Sequence, residues 1–92
     1  MITSFKHEET QKLYYTERSP RFANIARVAL RKLIQLNEAA MLKDLAVPPG
    51  NRLEALKGDR VGRHSIRINE PWRICFRWAG SDAQDVEICD YH

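Results

Sequence analysis

The chain has 92 residues, 43% of them hydrophobic, with Lys and Arg outnumbering Asp and Glu by three. That is one small domain, residues 1–92, with enough apolar content for a core. No apolar run approaches the roughly 20 residues of a membrane span, Lys6, His7, Glu8 and Glu9 interrupt any signal-peptide region, and the two cysteines lack metal-ligand spacing, so the reading is a cytosolic protein without membrane contact, metal or cofactor.

Ile2 to Phe5 reads as a short first strand. Glu8 and Glu9 then open a helix through about Thr16, since acids in a first turn suit the helix dipole. Leu13 and Tyr14 are its expected buried contacts. Ser19 and Pro20 read as N-cap and first residue of a long helix to about Asn37. Phe22, Ile25, Ala29, Leu33, Leu36 and Ala40 form its apolar stripe. A shorter helical piece follows around Ala39 to Leu45, and Pro48-Pro49-Gly50-Asn51 breaks it.

From Leu53 the pattern changes to strands. A short one covers about Arg52 to Leu56. Lys57-Gly58-Asp59-Arg60 is a turn, with Gly58 supplying the unusual backbone angle. In the next strand Ile66 and Ile68 share one face, and Arg63, Ser65 and Arg67 the other. Asn69-Glu70-Pro71 turns the chain. Trp72, Ile74, Phe76 and Trp78 then alternate with Arg73, Cys75 and Arg77. A six-residue link, Ala79 to Gln84, leads to a last strand from Asp85 to Asp90, with Val86 and Ile88 on the oily face. The expected fold is α+β: a small antiparallel sheet, made of the N-terminal strand plus a C-terminal meander, packed on one face by two or three helices. The link length puts Arg73 opposite Tyr91, Cys75 opposite Cys89, and Arg77 opposite Glu87 as an ion pair.

One side of this sheet is oily and calls for a helix. The other carries arginines and calls for an anion. Between Arg52 and Trp78 there are seven Lys or Arg (Arg52, Lys57, Arg60, Arg63, Arg67, Arg73, Arg77) against three acids (Glu54, Asp59, Glu70). That surplus exceeds the net charge of the whole chain, so basic character is concentrated here. RNA can be cut without a metal when its 2′-OH attacks the adjacent phosphate. Such a site must move protons and hold charge on phosphorus. His92, Tyr91, Asp90 and Glu54 are candidates for the first task, and Arg73, Lys57 and Arg67 for the second. Structural readings compete at every position: strand arginines commonly form a solvated face, and Lys-Gly-Asp-Arg is commonly only a turn. His7, His64, Trp72 and Trp78 read as structural. The cysteines read as reduced thiols that adjacency would let oxidise.

The ordered set Leu53-Glu54-Ala55-Leu56-Lys57-Gly58-Asp59-Arg60, Ser65 to Asn69, Trp72 to Trp78 and Asp85 to His92 resembles HigB-type toxins of the RelE/ParE toxin–antitoxin superfamily. The resemblance covers essentially the whole chain, and the terminal Asp90-Tyr91-His92 makes it specific. It implies a RelE-like fold and a ribosome-dependent mRNA endonuclease, an mRNA interferase. Such toxins cleave mRNA in the 30S A site without a metal and stop growth. It also implies a HigA-like helix-turn-helix antitoxin, with operator DNA bound only through the complex. By this resemblance Asp90, Tyr91 and His92 match the catalytic cluster, Arg73 the strand arginine, and Lys57 the lysine of the Lys-Gly-Asp turn. Some members carry His three residues before that lysine; here the residue is Glu54, a possible second base. Arg60, Arg63, Arg67 and Arg77 join Lys57 as candidate RNA phosphate contacts. Two other readings stay open: a ParE-like gyrase inhibitor without nuclease chemistry, and a non-catalytic RNA-binding module.

Overall fold

The computed structural model describes residues 1–90. Helix α1 (Glu8–Thr16) has Glu8 and Glu9 in its first turn, and their charge opposes the helix N-terminal dipole. It ends where Glu17 turns left-handed (φ 61°) and donates its N–H to Leu13 O at 2.9 Å. Thr10 and Leu13 form its buried face, while Tyr14 is only half-buried. Tyr14 and Tyr15, near the helix's C-terminal end, meet Phe5 and each other in tilted and T-shaped ring contacts.

Helix α2 (Ala26–Glu38) starts later than Ser19-Pro20 implied. Ser19 Oγ does accept a hydrogen bond from Phe22 N (3.4 Å). It caps a turn over residues 21–25 rather than the helix itself. That turn sinks Phe22 and Ile25 into the core, beside Ala29, Leu33 and Leu36. The predicted stripe therefore packs as a unit, except at its end. Ala39 is buried and Ala40 exposed, because the helix stops at Glu38 and Ala39 is extended. Two short 3-10 turns follow, Leu42–Ala46 and Pro49–Asn51. The first is held by Asp44, whose carboxylate accepts from Ala40 N and Met41 N. The second presents the fully buried Asn51, whose amide donates to Gln35 Oε1, Leu45 O and Val47 O. Lys32 Nζ donates to Asn51 Oδ1 and completes this polar lock between α2 and the loop. Burial first, then Arg31, pushes the Lys32 ammonium below the ordinary lysine range.

Four strands form one antiparallel sheet in the order β1 (Glu54–Ala55), β2 (Arg63–Arg67), β3 (Trp72–Ala79) and β4 (Asp82–Asp90). The N-terminal segment joins the outer edge of β4 through two parallel bridges, Ile2 to Ala83 and Phe5 to Val86. Both helices pack on one face. Ile66, Ile74, Phe76, Val86 and Ile88 meet Leu13, Phe22, Leu33 and Leu36 there. Each such side chain contributes roughly 1.5–3 kcal/mol by leaving water. Trp72 and Trp78 flank this core, half-buried.

The β3–β4 register differs from the expected one. Arg73 pairs with Cys89, Ile74 with Ile88, and Cys75 with Glu87, a slip of two residues. The cause is the turn. Gly80 adopts φ 64° and closes β3 to β4 through Gly80-Ser81 alone, so Asp82 to Gln84 belong to the strand rather than a link. A bulge between Cys75 and Arg77, with Asp85 at φ 51°, then absorbs one extra residue on β4. The bulge switches parity, so Ala83 on one side and Val86 on the other both face the core.

Candidate active site and nucleic-acid interface

The arginine face is the sheet's second side, and its register fixes rows across the strands. One row holds Arg67, Arg73 and Cys89. The next holds Glu54, Ser65, Cys75 and Glu87. A third begins with Arg63 and Arg77. At a strand spacing of about 4.8 Å and a rise of about 3.3 Å per residue, the Glu54 and Arg73 backbones lie on the order of 12 Å apart. A Glu and an Arg side chain reaching toward each other from that distance can bracket one phosphodiester.

Arg73 is half-buried and Glu54 exposed. Arg67, half-buried beside Arg73, donates from Nη2 to Glu70 Oε2 at 2.7 Å, and that accepting side chain is 91% exposed. Asp90 is the exposed last residue of β4. It pairs with Trp72, and by that register it sits on the opposite side of the sheet from Arg73. Tyr91 and His92, the other two residues of the expected catalytic cluster, lie outside the described residues, and so does the expected Arg73–Tyr91 pairing on its Tyr91 side. The partner the structure gives Arg73 on β4 is Cys89.

Lys57 is exposed and precedes the 3-10 turn Gly58–Arg60, in which Gly58 takes φ 69° as the sequence required. Leu56 N bonds to Arg63 O, which places Lys57 toward the Arg63 end of the sheet. Arg73 is at the Arg67 end, more than about 15 Å away by strand geometry. The two cations therefore do not share a phosphate; they suit different ones.

At the Lys57 end, Lys6, Asp59, Arg60, Arg63, Arg77 and Asp85 line a cleft of about 530 Å³. Arg60 is exposed there. Arg63 is buried and binds Glu87 (Nη2 to Oε2, 2.9 Å) and Asp85 O (2.9 Å). Lys6 Nζ reaches the same Glu87 oxygen at 3.4 Å. Arg77 Nε faces Asp85 Oδ2 at 3.5 Å, so its partner is Asp85 and not Glu87. The two-residue turn at Gly80-Ser81 is what redirects the pairing, because it sets Gln84 rather than Glu87 opposite Arg77, and the bulge at Asp85 then sets Glu87 opposite Cys75. Sequence reasoning missed Lys6 and Asp85 as parts of this cleft. The parallel bridge at Phe5 brings Lys6 in, and nothing in the local pattern of residues 2–6 announces it.

A family model described as HigB-like toxin, a RelE-like toxin of the type II toxin–antitoxin system HigB, matches residues 3–92. The chain belongs to this HigB-like toxin family. Toxin HigB-1 of Vibrio cholerae is 36% identical over 90 residues, covering 96% of this chain and 95% of the relative. Endoribonuclease HigB of Proteus vulgaris is 32% identical over 98 residues and is covered in full by this chain, as this chain is by it. Among solved structures, a YafQ mutant from E. coli superposes with a TM-score of 0.60 at 14% identity, over 98% of this chain and 91% of that one. YoeB in a heterotetrameric YoeB–YefM toxin–antitoxin complex from Staphylococcus aureus gives 0.58 at 19%, over 100% and 98%. The α+β architecture of this HigB-like toxin is thus the RelE-like one. Among the described residues, no helix is long and apolar enough to cross a membrane.

Proposed function

We propose that this HigB-like toxin is an endoribonuclease that cuts mRNA in the ribosomal A site by acid–base chemistry carried on its own side chains. The observation that carries the reading is the row containing Arg73, which stands on the arginine face one row from the exposed carboxylate of Glu54. End-to-end likeness to a relative named as an endoribonuclease supports it. In this reading His92 transfers a proton at the 2′-OH or at the leaving 5′-oxygen. Glu54 serves as a second base. Arg73 holds the phosphate as charge builds on its oxygens, which is where a guanidinium contributes most. Tyr91 positions the reacting groups or relays a proton, and Asp90, on the opposite sheet face from Arg73, acts only by positioning. The attack closes a 2′,3′-cyclic phosphate and breaks the P–O5′ bond. Lys57, Arg60, Arg67 and Arg77 bind neighbouring phosphates along the strand, while the buried Arg63, expected to join them, braces the sheet through Glu87 and the Asp85 carbonyl. A HigA-like antitoxin with a helix-turn-helix domain sequesters the toxin, and operator DNA is bound only through that complex.

Pulse induction followed by primer extension on a reporter mRNA tests the reading. Wild type gives cuts that require translation, and His92→Gln loses them. Growth arrest with intact mRNA would instead favour gyrase as the target. Equal cutting by both proteins would move the acid–base role to Glu54.

A further inference from the structure

The cleft of about 530 Å³ at the Lys57 end gathers charged side chains from widely separated parts of the chain. Lys6 comes from the N-terminal segment, Asp59 and Arg60 from the turn after Lys57, Arg63 and Arg77 from β2 and β3, and Asp85 from the bulge on β4. These charges are not equally engaged. Arg63 is buried against Glu87 and the Asp85 carbonyl, and Lys6 shares that Glu87 oxygen. The Asp85 carboxylate faces Arg77 Nε and Ser4 Oγ, each at 3.5 Å. Among the described residues, no hydrogen bond or ion pair engages the side chain of Asp59 or Arg60, and both residues are exposed. Arg77 Nη1 lies 3.9 Å from the position a Cβ on Gly62 would take, so its guanidinium reaches the loop that carries them. Its contact with Asp85 is half-exposed and solvent-screened, and a ligand can replace it.

Four cations stand here against three carboxylates, counting Glu87, so the surplus is a single charge. One surplus charge matches one phosphate rather than a run of them. The cleft also offers an unengaged acceptor, Asp59, beside the unengaged cation Arg60. That combination suits a ligand with one phosphate and a hydrogen-bond donor, which describes a nucleotide. A carboxylate accepts through two oxygens side by side. Of the four RNA bases only guanine presents two adjacent N–H donors, N1–H and N2–H, on its Watson–Crick edge. That edge is free only in an unpaired base.

We propose that the cleft seats one unpaired guanosine nucleotide of an RNA chain, with Asp59 accepting from N1–H and N2–H of the base and Arg60 and Arg77 holding its phosphate. Asp59 is then a sequence-selecting residue. Arg77 is four residues from Arg73 along β3, about 13 Å, so this guanosine lies along the strand from the phosphate that Arg73 holds. The base preference in binding stands on the cleft alone; its effect on where mRNA is cut rests on the endoribonuclease reading above.

The test is fluorescence anisotropy at low salt, using the full chain and short single-stranded oligouridylates that carry one central G, inosine, A or U. The G form should bind about tenfold more tightly than the A and U forms. Inosine lacks the N2 amino group and should lose most of that gain. Asp59→Asn puts an N–H donor against the base's donors, so its preference for G should fall below about twofold with Tm unchanged. Arg60→Ala should weaken every RNA by about fivefold and reduce the salt slope by about 0.7, with the preference for G kept. Equal binding of the G, A and U forms, inosine binding as tightly as G, or a preference for G that survives Asp59→Asn would overturn the proposal. The inosine comparison uses unaltered protein and so does not depend on how a variant folds. On translating ribosomes, wild-type cut sites should show G enriched at one fixed distance from the cut, and Asp59→Asn cut sites should not. Cut sites without that enrichment, from a protein that prefers G in solution, would overturn the link to cleavage. A preference for G in a protein that cuts nothing supports the cleft and counts against the endoribonuclease reading alone.

Discussion

The two ends of the arginine face use the same residue type differently. At the Lys57 end, Arg63 is buried and bound by Glu87 and the Asp85 carbonyl, and Arg77 faces the Asp85 carboxylate. These guanidiniums brace β2, β3 and β4 and shape a cleft. At the Arg67 end, the row holding Arg73 stands one step from an exposed Glu54 and next to a cysteine pair. A guanidinium held by a buried carboxylate and a backbone carbonyl, as Arg63 is, is scaffold. Arg73, one row from the exposed Glu54, is the one the proposed chemistry sets against phosphate. Counting arginines on a strand does not separate these roles; their acidic neighbours do.

The largest effect should come from breaking the braced end. Glu87→Ala leaves Arg63 buried without its carboxylate, an error that typically costs about 3–5 kcal/mol. Tm should fall by more than about 10 °C in thermal melts. Next comes the contrast in activity. Arg73→Ala should slow single-turnover mRNA cutting by about 10²-fold or more with Tm little changed. Arg77→Ala should slow it by less than about tenfold and flatten the salt dependence of binding by about one unit of slope. Equal losses at both positions would erase the distinction between the ends. The smallest effect should be remote from the face. Lys32→Met strands the buried Asn51 oxygen and should cost about 1–3 kcal/mol without touching cutting. Because burial lowers the Lys32 pKa on folding, its charge opposes the fold below that lowered pKa. The penalty fades as pH rises toward the ordinary lysine value, and the Met variant should lack that gain in alkaline melts.

Much of this was legible in the chain. Acids at Glu8 and Glu9 set the start of α1, period-two alternation set β2 and β3, and Gly58 set the turn after Lys57. The errors are local and physical. Ser19-Pro20 carries a helix-start signal, but burial of Phe22 and Ile25 keeps residues 21–25 as a turn. A polar run from Gly80 to Gln84 looks like a loop, yet Gly80 permits a two-residue turn and hydrogen bonding carries the rest into β4. The bulge at Asp85 is invisible to a strict two-residue period, and together with that turn it reassigned the partners of Arg77 and Glu87. At the candidate site, residue types pointed to Arg73 and Glu54, while only the register could separate Lys57 from Arg73.

The measurement that bears most directly on the proposed chemistry is cutting of a ribosome-bound mRNA carrying one 2′-deoxy nucleotide at the cleavage position. The all-ribose message should be cut and the single-deoxy message should survive, with cutting elsewhere unaffected, because the proposed nucleophile is the 2′-OH. Cutting of both messages at the same position and rate would contradict the account, since the attacking oxygen would then come from somewhere other than the RNA itself.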